Sequence, residues 1–213
     1  MLTAQLPGLK TVLALGAHCD DIEIGCGGAL LRLLKENSGL VVYWVVFASS
    51  PARKLEAEKA AGLFLAGAAK ADVRVHAFRD GFLPYHGIEV KESFEALKAA
   101  VNPDLIFTHH RQDLHQDHRI VSELTWNTWR NHLIWEYEIP KYDGDLGAPN
   151  VFMELPEAVY RRKVELIREC YPTQWGKNWF SEDTFLGLMR IRGMECQAQS
   201  RHAEAFYGRK ITL

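Results

Sequence analysis

Short, almost uninterrupted apolar runs alternate along this chain with longer stretches in which apolar residues recur every three or four positions. The runs at 11–16 (T-V-L-A-L-G), 40–47 (L-V-V-Y-W-V-V-F), 73–78 and 104–108 (D-L-I-F-T) are rich in β-branched and aromatic residues. The first two and the last lack the polar alternation of a half-exposed strand, so they read as strands covered on both faces. Between the runs, 27–36, 52–69 and 90–101 read as helices. Leu30, Leu31, Leu33 and Leu34 form an apolar stripe on the first, and Asn37-Ser38-Gly39 ends it. The second is rich in Ala, Glu, Lys and Leu, all strong helix formers. Strand and helix in alternation predict an α/β fold, a Rossmann-like open, mostly parallel sheet flanked by helices.

Past residue 118 the rhythm loosens. A helix is expected at 119–129, a strand at 132–138, a loop dense in Gly, Pro, Asp and Asn at 141–150, and a short strand at 151–155. Helices at 157–170 and 182–199 follow, joined by a loop containing Pro, Gln, Trp and Gly. With no internal repeat, low-complexity tract or long linker, the expectation is a single domain over residues 1–213 with a C-terminal helical addition.

Composition adds mainly exclusions. At 213 residues, 47% hydrophobic and 24% charged, the chain resembles an ordinary globular protein and can build a core without cross-links. Its 25 basic and 27 acidic residues balance to a net charge of -2, so no nucleic acid or anionic membrane is expected as a partner. The four cysteines form no C-x-x-C pair, which suits a reducing compartment. The apolar run at 39–48 is about half the ~20 residues needed to cross a bilayer, and no basic leader precedes residue 11. A cytoplasmic protein acting on a small molecule is therefore expected, and the Trp-containing C-terminal region offers surface for contact between identical subunits. Nine histidines stand out, with His109, His110, His115 and His118 close together.

In an open parallel sheet, ligands bind beyond the carboxyl ends of the strands. The first strand runs into Ala17-His18-Cys19-Asp20-Asp21, and the fourth into a segment ending His115-Gln116-Asp117-His118. If those strands are neighbours, the two loops face each other. Imidazole and carboxylate are the usual ligands of a catalytic zinc, which takes three protein groups and keeps a position for water. His18 and Asp21, three apart on a turn, can share an ion with His118. Asp20 is displaced to the side, where it can take a proton from bound water, and His115 can hydrogen-bond whatever fills the open position. Asp113 or Asp117 would orient a histidine from behind. The plainer reading of either cluster alone is a solvated loop, with Asp20 or Asp21 as a helix cap. Gly25-Cys26-Gly27-Gly28 fits a dinucleotide fingerprint poorly, since Leu30 stands where the third glycine belongs, and reads better as close helix packing.

Together the two clusters resemble the LmbE-like, or PIG-L, family of zinc-dependent N-acetylglucosaminyl deacetylases, whose signatures are A-H-P-D-D-E and H-P-D-H. Here they read Ala17-His18-Cys19-Asp20-Asp21-Ile22-Glu23 and His115-Gln116-Asp117-His118, with Asp80-Gly81 and Ala203-Glu204-Ala205-Phe206 as further points of likeness. The resemblance implies one Zn2+ per chain on His18, Asp21 and His118, with Asp20 as general base. It implies His115 as acid or oxyanion partner, tuned by Asp117, and Arg53, Asp80 and His202 as contacts to an N-acetylated sugar. Cys19 and Gln116 replace prolines of the signatures, Ile22 stands where the commoner form has Glu, and His202 where many relatives have Tyr. Loops 82–87 and 137–150 would form the rim of the pocket.

Two other readings stay open on sequence alone. His18-x-Asp20 with a distant His118 also matches the 2-His-1-carboxylate set of a non-haem Fe(II) oxygenase, although the alternation of strand and helix is unlike the jelly rolls that carry that spacing. A catalytically silent sugar- or metal-binding protein is the other.

Overall fold

A computed structural model describes residues 5–212. Its elements run β1 (Thr11–Gly16), α1 (Asp21–Glu36), β2 (Val41–Ala48), α2 (Pro51–Phe64), β3 (Lys70–Phe78), α3 (Gly87–Ala100), β4 (Leu105–His109) and α4 (Gln116–Thr128). There follow β5 (Leu133–Tyr137), β6 (Val151–Glu154), α5 (Glu157–Cys170), α6 (Glu182–Glu195) and β7 (Ala203–Gly208). The strands form one seven-stranded sheet in the order β3-β2-β1-β4-β5-β7-β6. β1 to β5 are parallel, and β7 runs antiparallel to both β5 and β6. This is the α/β, mostly parallel sheet that the apolar runs predict.

The sheet is covered on both faces, which explains why β1 is apolar without interruption from Val12 to Leu15. Val12 and Ala14 face the core under α1, α2 and α5, whereas Leu13 and Leu15 face the core under α3 and α4. β3, at the edge, is only half covered.

Strand order reverses at β1. From there the chain builds outward through β2 and β3, then returns to add β4 on the other side. The carboxyl ends of β1 and β4 therefore flank the crevice where ligands bind in such sheets.

Two departures from the sequence expectations matter for the site. α1 begins at Asp21 rather than at 27, because glycines that weaken an exposed helix here allow contact. A Cβ on Gly25 would lie 2.1 Å from the Tyr137 ring, one on Gly27 2.7 Å from Phe64, and one on Gly28 2.5 Å from Leu155. The C-terminal part, expected to be helical past 182, ends its helix at Glu195 and returns as β7 into the sheet. β7 is held by a buried ion pair. Glu204 accepts from the amides of Gly28 (2.8 Å) and Ala29 (2.6 Å) and from Lys163 Nζ (2.6 Å).

Candidate metal centre

The loop after β1 brings His18 and Asp21 to the crevice, and the first turn of α4 brings His118 from 100 positions away. Their facing atoms are close together. His18 Nδ1 lies 3.1 Å from His118 Nε2 and 3.4 Å from Asp21 Oδ2, and His118 Nε2 lies 3.6 Å from the same oxygen. Ligand atoms about 2.0–2.1 Å from a tetrahedral ion stand about 3.4 Å apart, so the three have the spacing of ligands around one ion. Both imidazoles are also backed by a carboxylate on the far ring nitrogen. His18 Nε2 meets Asp117 Oδ2 at 3.0 Å, and His118 Nδ1 meets Asp113 Oδ2 at 2.9 Å. Such partners fix the tautomer, aim the free nitrogen and strengthen it as a donor. A two-histidine, one-carboxylate donor set of this kind fits a catalytic zinc.

Asp20 stands beside this group rather than in it. Its backbone is at φ 141°, a region L-residues adopt at a cost, and its Oδ2 pairs with Arg53 at 2.8 Å. Among the described residues, none of the clusters of His and carboxylate donor atoms at this centre includes Asp20. Burial pushes Asp20 up to about 6, against the pull of Arg53. Arg53, in the first turn of α2, is not a surface charge. Its side chain is 17% exposed, donates to the Cys19 carbonyl and reaches Glu56 and Thr173 Oγ1, both at 3.4 Å.

His115 caps α4, its Nδ1 accepting the amide of Asp117 at 3.2 Å. Its ring lies 4.8 Å from that of His18 and 4.6 Å from that of His118. The Asp117 carboxylate, fully buried, serves His18 and the amides of Gly81 (2.7 Å) and Leu83 (3.1 Å), so its link to the His115 ring is through its own N–H. Asp80 is 80% exposed at the mouth, with Oδ1 3.1 Å from His18 Nε2. His202 is not brought to the group: it stacks on Tyr160 at 3.9 Å, with Nδ1 3.1 Å from the Ser200 carbonyl.

Burial pushes His118 down to about 3, with His109 adding to the effect, and leaves the neutral imidazole that a metal requires. Burial also disfavours charge on His18, but Asp21 and Asp117 outweigh it and hold that ring well above the usual histidine range.

His109, read from the sequence only as the end of a strand, belongs to this centre. Its Nε2 accepts the Ala17 amide at 2.9 Å and lies 3.2 Å from Asp21 Oδ2, and its ring stacks on His118 at 3.9 Å. Strand alternation carries the signal, since Leu105 and Phe107 share the α1-side core and His109 continues their face. Tyr137, with its hydroxyl 2.6 Å from the Leu15 carbonyl and 3.2 Å from His109 Nε2, completes the floor.

Residues 13–129, more than half of the chain, match the family model described as PIG-L: GlcNAc-PI de-N-acetylase. The protein named uncharacterized deacetylase YaiS, of Escherichia coli K12, is 26% identical over 182 residues, covering 75% of this chain and 90% of that protein. Among solved structures, N,N'-diacetylchitobiose deacetylase from Pyrococcus horikoshii superposes with a TM-score of 0.73 at 21% identity, covering 95% of this chain and 84% of that one. GalB, the 4-carboxy-2-hydroxymuconate hydratase from Pseudomonas putida KT2440, superposes with a TM-score of 0.77 at 16% identity, covering 96% and 99%. The fold is therefore shared by proteins named for two different reactions, and the chemistry has to be argued from the site.

Proposed function

The chain belongs to the PIG-L, or LmbE-like, family of hydrolytic deacetylases, and on that premise we propose that it removes the acetyl group from an N-acetylated, GlcNAc-type sugar at a zinc site. The observation that carries the reading is the trio His18 Nδ1, Asp21 Oδ2 and His118 Nε2 at mutual distances of 3.1–3.6 Å, with each imidazole backed by a carboxylate. His18, Asp21 and His118 would hold one Zn2+, which when bound lowers the pKa of its water toward about 7 and polarises an amide carbonyl.

The chain's own groups do the rest. Asp20, off the trio and fixed by Arg53, receives the proton of the attacking water. His115 has Nδ1 occupied by the Asp117 amide, so its neutral ring carries the proton on Nε2. In that form it donates a hydrogen bond to the oxyanion as the amide becomes tetrahedral, and the proton held by Asp20 passes to the departing sugar nitrogen as the C–N bond breaks. Acetate and a free amine are the products. The exposed carboxylate of Asp80 would meet sugar hydroxyls at the mouth, and the guanidinium of Arg53, beside Asp20, would meet them deeper in. Among the described residues no helix is long and apolar enough to cross a membrane, consistent with a substrate taken from water.

The test is a screen for acetate and free amine across N-acetylated sugars and glycosides, with zinc measured on the same sample. Equimolar release of both products from at least one substrate, lost on chelation, is expected. Release of neither product by zinc-loaded protein across the panel would overturn the reading.

A further inference from the structure

Two loops border the metal centre, and each is fastened to a carboxylate that also holds one of its imidazoles. The turn after β3 hangs on Asp117, which takes the amides of Gly81 and Leu83 as well as His18 Nε2. The loop after β5 hangs on Asp113. Lys141 Nζ donates to Asp113 Oδ2 at 2.8 Å, the same oxygen that receives His118 Nδ1 at 2.9 Å, while Asp113 Oδ1 accepts the His115 amide at 2.8 Å. Lys141 also pairs with Asp145, whose Oδ2 accepts the amide of Leu114 at 2.7 Å. The side chain of Asp113 is buried, at 3% exposure, and that of Lys141 is largely covered, at 11%.

Asp113 therefore has every oxygen committed. One carboxylate oxygen is shared by an ammonium and an imidazole N–H, and such charge-assisted bonds in a site sheltered from water are short and directional. Without Lys141 the carboxylate would be a buried anion held only by His118 and one amide, free to turn about its Cα–Cβ and Cβ–Cγ bonds. The orientation of His118 depends on that carboxylate, so it depends on Lys141 at one remove.

We propose that Lys141 is a positioning residue for metal binding: it locks Asp113 so that His118 presents Nε2 to the ion, and thereby couples the loop at residues 138–150 to the metal centre. The inference rests on the zinc reading of the site given above. It makes this loop more than a rim, because whatever moves Lys141 also loosens a ligand.

The test is the zinc affinity of the full-length chain, stripped of metal and titrated against a chromophoric chelator, for wild type, Lys141→Met, Lys141→Gln and Lys141→Arg. Loss of a partner one step behind a ligand costs about 10–100-fold in metal affinity. Lys141→Met and Lys141→Gln are expected to bind zinc about 10-fold or more weakly, and Lys141→Arg to recover most of the loss. If Lys141→Met does not fold, the Gln and Arg variants decide the matter, since Gln removes the positive charge and Arg keeps it. Wild type binding zinc with all folded variants indistinguishable from it would overturn the role of Lys141 alone. Wild type binding no zinc would overturn the reading of the site, and this inference with it.

Discussion

Replacing Asp20 with Asn separates the proton transfer from the metal more cleanly than any other substitution. Asn has the same shape, and its amide oxygen can still accept from Arg53, which stands 2.8 Å from Oδ2. The Asp21, His18 and His118 donor atoms are untouched. What disappears is the proposed base for the water's proton, and removing a positioned general base costs about 10²- to 10⁴-fold in rate. At 1.36 kcal/mol per decade that is about 2.7–5.4 kcal/mol of barrier. The loss should fall on kcat with little change in KM, since the group acts in the transition state rather than in binding. Steady-state acetate release measures the rate, and metal analysis of the same protein should give a zinc content equal to wild type. Full activity in Asp20→Asn would refute its assignment as the base. Loss of zinc in step with activity would place Asp20 among the ligands.

Three other outcomes follow from the packing and the site. Gly25→Ala forces a methyl to within 2.1 Å of the buried Tyr137 ring, whose hydroxyl ties β5 to the end of β1; overpacking of this kind costs about 1–3 kcal/mol, so the urea midpoint should drop, and an unchanged midpoint would contradict the close approach. Lys163→Met leaves Glu204 buried without its cation, which costs about 3–5 kcal/mol for such a pair, and equilibrium unfolding at wild-type stability would show that the pair does not hold β7. His202→Ala, which removes a ring stacked on Tyr160 rather than one at the metal centre, should leave kcat near wild type; a large fall in kcat would put His202 in the chemistry.

How much of this was readable beforehand depended on where local pattern and tertiary contact agreed. β1 and β4 announce themselves because an apolar run ends abruptly in His, Asp and Arg, and the switch point between them follows from the parallel order. The start of α1 was hidden because Gly25, Gly27 and Gly28 oppose helix in isolation, and only Tyr137, Phe64 and Leu155 across the interface explain them. β7 was hidden for a similar reason. Ala203, Glu204 and Ala205 have no strand preference, and their burial is set by Lys163 and two amides of α1. The pairing of Arg53 with Asp20 has no local signal, because sequence shows the helix but not that its first turn faces the loop of Asp20. The H-P-D-H signature covers His115 and His118 but not His109, a strand residue whose side chain closes the floor of the centre.

The central claim is that His18, Asp21 and His118 together hold one catalytic ion. The most direct measurement is a crystal structure of the zinc-loaded protein with anomalous data collected on both sides of the zinc edge. One peak per chain is predicted, about 2.0–2.1 Å from His18 Nδ1, His118 Nε2 and an oxygen of Asp21, with Asp20 still on Arg53. A single ion bound instead through Asp20, or through His109 and His118 with His18 turned away, would contradict the account.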